Sequence, residues 1–347
     1  MSALIPEAPA IEALPLVTLY LTDRCNSRCV TCDYWRHGRT NLTLAGLLPM
    51  LPALEALRTE VVLLSGGEPL LNPEWAAIAR TLRQCGLRPW LLTAGLALAK
   101  HAPVAAELFD AITVSLDGTL PGTYAEIRGL DAFDKVCEGI RAVVVAGAPV
   151  TVRVTLQRRN FRELRRFVSL ARDLGVAQVS FLAVDVGNAH AFARTAPVDG
   201  GLALAAEELP EFASLIDALE REAAEDFADG FIAQSPAKLR SIHAYFTALA
   251  GRGEFPPVRC NAPQFSAVVT ADGRAQPCFF IPPAEAAGAL GDLRERLNST
   301  PMRRLRGVIA AGERPECRRC VCSMWREPGA RGAGDFPARR IRPAASA

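Results

Sequence analysis

Long apolar runs are missing from this sequence. Its 347 residues are 50% hydrophobic, yet the longest apolar stretches have strand length, well short of the roughly 20 residues a membrane helix needs. The first residues, MSALIPEAPAIEALP, lack the basic region and continuous apolar core of a secretory signal. No membrane association and a cytoplasmic location are therefore expected. Net charge is nearly absent as well: 39 Lys+Arg against 37 Asp+Glu leave +2, so there is no broad electrostatic case for nucleic acid as a partner. Histidine is scarce, and His37, His101, His190 and His243 lie too far apart to found a metal centre. No P-loop, dinucleotide-binding G-x-G-x-x-G, Ser–His–Asp arrangement, internal repeat or low-complexity tract is present.

Cysteine, by contrast, is plentiful, with 10 in the chain. Without a secretory signal, that number points to a reducing compartment and to metal ligation rather than disulfides. Cys25, Cys29 and Cys32 stand in the run TDRCNSRCVTCDYW, a C-x₃-C-x₂-C spacing. Three thiolates hold three irons of a cubic [4Fe–4S] cluster, which normally takes four cysteines. The fourth iron is then open, and an open coordination position separates a catalytic metal site from a structural one. Taken alone, the triplet also admits half of a zinc site, although zinc sites usually add a second close pair of ligands. Cys85 and Cys137 fall in apolar helical stretches and read as packing residues.

From about residue 14 to 185, short β-rich runs alternate with longer helical stretches. Strands are expected at 16–22, 60–69, 88–95, 110–118, 150–156 and 177–186. Helical patterns fill 43–57, 72–87, 131–146 and 160–175, with Asn72 and Asn160 as caps and Gly147 and Gly175 as terminators. Such alternation predicts parallel βα units. The fold class is α/β, a partial (β/α)6 barrel over residues 1–185. A helical connecting layer follows over 186–253, then a cysteine-rich module over 254–330 with an Asp272-Gly273 hairpin turn. A basic tail, 331–347, carries Arg339, Arg340 and Arg342.

The expected strands have a polar face. Thr18, Tyr20 and Thr22 alternate with apolar neighbours, as do Thr113, Ser115 and Asp117, then Thr151, Arg153 and Thr155, then Gln178 and Ser180. Helices would cover the apolar face carrying Ile112, Val114 and Leu116. The polar set then points inward, which suits a substrate cavity better than a packed barrel core. Arg153 would need a partner there.

The cysteine triplet on the loop after the first strand resembles the signature of the radical S-adenosylmethionine (SAM) enzymes. Ser65-Gly66-Gly67-Glu68-Pro69 closes the second strand and is similar to that family's GGE motif, which binds the amino group of SAM. Ser115 and Asp117, at the end of the fourth strand, sit where the family meets the ribose or methionine of SAM. Arg128, in YAEIRG, sits where the SAM carboxylate is paired. The residue before the third cysteine, often aromatic in the family, is Thr31 here, and Tyr34 and Trp35 follow.

Cys260, Gly273 and Cys278 form C-x₁₂-G-x₄-C, and Cys317 and Cys320 form C-x₂-C. This resembles the SPASM and twitch extensions of radical SAM enzymes. The resemblance implies one auxiliary [4Fe–4S] cluster on Cys260, Cys278, Cys317 and Cys320. Cys322 is left as a spare thiol, an alternative ligand or a hydrogen-atom donor. Taken alone, a Cys₄ zinc ribbon remains open for this region.

The resemblance implies an enzyme with a SAM-binding [4Fe–4S] cluster and a one-electron donor such as flavodoxin or ferredoxin. It would form a 5′-deoxyadenosyl radical and abstract hydrogen from substrate. Arg153 and Cys322 are the candidate lumen residues. The first strand starts at Leu16, which leaves no room before it for a peptide-recognition domain. A small polar substrate is therefore expected, undergoing oxidation, epimerisation or rearrangement. The alternatives are a peptide-modifying enzyme and a non-catalytic iron–sulfur or zinc-binding protein.

Overall fold

The computed structural model describes residues 6–198, 200–284 and 290–327. The basic tail with Arg339, Arg340 and Arg342 lies outside the described residues. Six parallel strands appear where the alternation places them: β1 Leu16–Thr22, β2 Val61–Gly66, β3 Arg88–Thr93, β4 Ala111–Ser115, β5 Val150–Leu156 and β6 Gln178–Ala183. Between β1 and β2 lie α1 Tyr34–His37, α2 Leu44–Leu47 and α3 Leu51–Ala56. The last two are separated by a 3₁₀ turn at Leu48–Met50, beside Pro49 and Pro52. Then come α4 Trp75–Gln84, α5 Leu98–Leu108, α6 Pro121–Arg128, α7 Phe133–Val145 and α8 Leu164–Asp173.

The apolar face of each strand turns to these helices. Val17, Leu19, Leu21, Ile112, Val114, Val152, Val154 and Phe181 are fully or almost fully buried in one core. Each large side chain so buried is worth about 2 kcal/mol. The other face encloses the lumen, which is not polar throughout. Leu16, Val61, Leu63 and Trp90 cluster near the starts of the strands and plug that end. The polar residues collect at the opposite, C-terminal end, where a βα barrel builds its active site.

Three helices, α9 Leu209–Glu222, α10 Ala224–Ala228 and α11 Pro236–Leu249, follow β6. Their link also caps the open edge of β6: Val179 N donates to Phe231 O at 2.8 Å, and Ala233 N donates to Val179 O at 2.9 Å. An uncovered edge of this kind would invite pairing with another chain.

The C-terminal region is more closely joined to the barrel than a boundary near 254 implies. Its hairpin, β7 Ser266–Val269 and β8 Ala275–Gln276, turns at Asp272-Gly273 as expected, with Gly273 at φ 82°. But β7 pairs in parallel with β1, from Leu16 opposite Ser266 to Leu19 opposite Val269. One eight-stranded sheet results, in the order β6-β5-β4-β3-β2-β1-β7-β8. Helices α12 Leu293–Leu297, α13 Thr300–Ala310 and α14 Pro315–Arg318 follow. Asn298 ties this region to the start of the chain, accepting from Ile11 N at 2.6 Å and donating to Ile11 O at 3.0 Å. No helix among the described residues is long and apolar enough to cross a membrane.

Some local expectations are corrected. Helix α4 begins at Trp75, so Asn72 is not its cap. Asn72 is buried and donates to Leu21 O and Leu42 O, both at 2.7 Å. Asn160 does stand at the N-cap position of the 3₁₀ turn that leads into α8, but its side chain makes no capping bond. Cys137 packs in the core as expected, whereas Cys85 is exposed at the end of α4.

Candidate active site

The loop after β1 carries Cys25, Cys29 and Cys32, and backbone hydrogen bonds clamp it on several sides. Gly67 N donates to Thr22 O and Glu68 N to Arg24 O, both at 2.8 Å. Arg28 N donates to Arg128 O at 2.9 Å, and Asp33 N to Phe192 O at 2.9 Å. Glycine is needed where these contacts are tightest. A Cβ on Gly67 would overlap the Arg24 carbonyl, and one on Gly129, at φ +74°, would overlap that of Arg28. The glycines of the GGEP run thus admit the cysteine loop itself as well as lining the cavity it faces.

That cavity, about 230 Å³, opens among the C-terminal strand ends. Its walls include all three cysteines of the loop, with Ser65, Gly66 and Gly67 after β2, and Ser115, Asp117, Arg128, Arg153 and Thr155 from the next units. Strand register explains part of this assembly, since Ser115 lies directly opposite Arg153 across β4 and β5. Of the expected lumen set, Thr18, Tyr20, Thr22, Thr113, Thr151, Gln178 and Ser180 do not line the cavity. Gln178 donates to Gly230 O at 3.0 Å, and Ser180 accepts from Gln234 at 3.1 Å, so the edge-covering segment holds both.

Glu68 of the GGEP run lies just past the end of β2. It is fully buried, and its carboxylate is occupied by Leu70 N (3.1 Å), Thr93 Oγ1 (2.7 Å) and Ala94 N (2.7 Å). Burial raises its pKa despite these donors. Glu68 does not line the cavity; it ties the ends of β2 and β3 together.

Arg128 is buried and paired with Asp117 at 3.1 Å, and Asp117 also accepts from Thr155 N at 2.7 Å. Burial opposes the guanidinium charge, but Cys29 and Asp117 more than offset it, so the pKa of Arg128 is raised. Its Nε remains buried without a partner. Arg153 is the more exceptional case. It too has an unpartnered buried Nε, and burial lowers its pKa. No carboxylate pairs with it among the described residues; the group facing it is the Cys322 thiol.

The cysteine loop fits a cluster with an open iron. Burial pushes Cys25 up to about 11 and Cys32 up to about 12, so both are neutral thiols until a cation displaces their protons. Among the described residues, no three His, Cys, Asp or Glu groups are placed to hold a single metal ion. A cubic cluster spreads its thiolates over separate irons and so needs wider spacing than one ion does. The unpartnered Arg128 Nε beside the sulfurs fits a ligand carboxylate.

A second cavity, about 740 Å³, is lined by Cys260, Cys278, Cys317, Cys320 and Cys322. Asn261 brings the distant segments together: its side chain donates to Arg326 O at 2.7 Å and accepts from Arg326 N at 2.8 Å. Burial raises Cys278 to about 12 and Cys317 to about 11. Cys322 lines both cavities, as do Phe279 and Phe280.

Several wall residues were not singled out from the sequence. Asp185, Phe192 and Arg194, from the loop after β6, line the lumen cavity. Arg194 pairs with Asp185 at 3.4 Å and donates to Thr31 O at 3.0 Å. Their only available signal was position, after the C-terminal end of a strand. Asn160, whose chemistry suits a helix cap, clamps the site, donating to Asp117 O at 2.9 Å and Thr155 O at 3.0 Å.

Comparison with known proteins agrees with this geometry. Residues 19–171 match the model of the Radical SAM superfamily. Over those residues the chain is similar to a radical SAM domain. That family's cofactors are a [4Fe–4S] cluster and SAM, and the cysteine loop and the groups beside it fit them. A probable GTP 3′,8-cyclase of Saccharolobus islandicus is 34% identical over 167 residues, 47% of this chain and 54% of the relative. The AdoMet-dependent heme synthase of Methanosarcina barkeri is 31% identical over 194 residues, 53% of this chain and 55% of the relative. The chain thus spans about half the length of these relatives. Streptococcus suis SuiB bound to S-adenosylmethionine superposes with a TM-score of 0.64 at 12% identity, over 91% of this chain and 74% of SuiB. The enzyme anSMEcpe with bound AdoMet gives 0.63 at 17%, over 89% of this chain and 85% of its own. At these identities the likeness is one of fold.

Proposed function

We propose that the chain cleaves SAM reductively and abstracts hydrogen from a small polar substrate bearing an anionic group. One observation carries this reading: a single cavity holds the open cysteine triplet and, separately, an arginine with no carboxylate partner. When bound, the cluster and SAM supply one-electron cleavage to methionine and a 5′-deoxyadenosyl radical. The chain's own residues bind, orient and exclude water. Arg128, fixed by Asp117, takes the methionine carboxylate, while Ser115 and the Gly66-Gly67 backbone line the path of the cofactor. Arg153 takes the substrate anion, since a buried guanidinium favours bidentate pairing with carboxylate or phosphate. Phe279, Phe280, Val321 and Cys322 wall the cavity from the C-terminal side, which favours a small substrate over an extended peptide.

Cys260, Cys278, Cys317 and Cys320 are the ligands of one auxiliary iron–sulfur cluster in this reading, in a twitch-like arrangement joined to the barrel sheet. Cys322 stays a free thiol at the wall between the two cavities. Oxidation, epimerisation and rearrangement are all open to the resulting substrate radical. The test is a screen of deuterium-labelled anionic metabolites and peptides, read as deuterium in 5′-deoxyadenosine. Transfer from a small anionic metabolite is expected. Transfer from a peptide and from no small metabolite would overturn the substrate class.

A further inference from the structure

The loop after β6 grips the cysteine loop on both sides of Cys32. To do so, Phe192 and Ala193 adopt φ 59° and 58°, the left-handed region that residues other than glycine avoid at a cost of about 1–3 kcal/mol each. The turn so formed brings Phe192 O within 2.9 Å of Asp33 N, which donates to it, and within 3.6 Å of Cys32 Sγ. It also aims Arg194 Nε at Thr31 O, 3.0 Å away. Holding one carbonyl does not call for a charge, yet the Arg194 side chain is only 1% exposed. Its guanidinium is met by Asp185 at 3.4 Å, by Asn188 O at 3.1 Å and by the Phe192 ring at 4.9 Å. Asp185 accepts from Asn188 N at 2.9 Å. Of this buried pair, it is the cation that bonds to the cysteine loop; Asp185 makes no hydrogen bond to that loop among the described residues.

We infer that Arg194 is a positioning residue that makes a cluster on Cys25, Cys29 and Cys32 easier to reduce, with Asp185 as the opposing charge. The inference rests on reading the triplet as the site of that cluster. Reduction passes one electron from an external reductant, which is oxidised by one unit, and no bond forms or breaks. It adds one negative charge beside Cys32. The potentials of iron–sulfur clusters follow net charge, hydrogen bonding and solvent exposure, and a fixed charge acts most strongly where water is excluded. A buried guanidinium tied to the carbonyl next to Cys32 therefore favours the reduced state, and a carboxylate opposes it. Arg128 also lies beside the sulfurs, but it is paired with Asp117 at 3.1 Å and is proposed to take the SAM carboxylate. Two carboxylates against one cation leave Arg128 little to offer the cluster, so the task falls to Arg194.

The test is a redox titration of the reconstituted full chain with dithionite, read from electron paramagnetic resonance. The signal that changes on adding SAM belongs to the triplet, and the signal that does not serves as the internal control. Arg194→Gln keeps a donor for Thr31 O but removes the charge. It should lower the equilibrium constant for reduction about tenfold, a fall of about 59 mV for one electron. Asp185→Asn removes the opposing charge and should raise that constant. Arg194→Lys restores the cation without the planar fork and should return the potential toward that of the wild type. A purely structural contact would move the Gln and Asn variants the same way, or neither. Shifts of one sign, an unmoved potential in either variant, or an Arg194→Lys value as low as that of Arg194→Gln would overturn the inference. If Arg194→Gln holds no iron at the triplet, a fall or no change in Asp185→Asn overturns it alone. A wild type without any SAM-responsive signal would instead overturn the reading of the cysteine site.

Discussion

Asp117 and Arg128 meet at 3.1 Å with 5% and 11% of their side chains exposed. Breaking such a pair from one side leaves a buried charge uncompensated and costs about 3–5 kcal/mol. Asp117→Asn should therefore lower stability to chemical denaturation by that amount. Its new amide also faces the Thr155 N–H that Asp117 now accepts. SAM affinity should fall too, because Arg128 loses the group that positions it. A stability change below about 0.5 kcal/mol, the ordinary scatter of surface substitutions, would show that the pair is not the anchor described.

Gly129 tests the clamp on the cysteine loop. Alanine there must adopt φ +74° and overlap the Arg28 carbonyl, a strain of about 1–3 kcal/mol before the loop shifts. Gly129→Ala should reduce the iron held at Cys25, Cys29 and Cys32 after reconstitution, and leave that at the C-terminal cysteines in place. Full iron occupancy at the triplet would contradict the clamp.

Much of this arrangement was legible because strand alternation is a strong signal. Runs such as LVTLYLT and VTVRVTL fall on β1 and β5 as expected. Helix α5 was missed because Pro103 interrupts it, and α6 because Pro121-Gly122 reads as a turn, although proline is favoured in a first helical turn. Asn72 and Asn160 have capping chemistry, but here the same amides cross-link loops, a tertiary use that no local pattern reveals. Glu68 carries three hydrogen bonds to Leu70, Thr93 and Ala94 that its sequence neighbours alone do not reveal. The β1–β7 pairing joins residues some 250 positions apart by their numbers, beyond the reach of any local rule.

The auxiliary site can be judged by metal content. Replacing Cys260 and Cys278 should remove about half of the iron from the reconstituted protein, given two clusters of four irons each. Zinc in place of iron at these cysteines after anaerobic purification would contradict the auxiliary cluster.

Arg153→Ala should weaken substrate binding by about 30-fold, the equivalent of the roughly 2 kcal/mol of a hydrogen bond to a charged group. Cleavage of SAM without substrate should change little. The reverse pattern would assign Arg153 to the SAM site.

The central claim is that the loop of Cys25, Cys29 and Cys32 supports SAM cleavage. It is tested most directly by replacing all three with alanine and measuring 5′-deoxyadenosine formed by dithionite-reduced protein. The account predicts that production is abolished while the absorbance of the C-terminal cluster persists. Undiminished 5′-deoxyadenosine in the triple variant would contradict it.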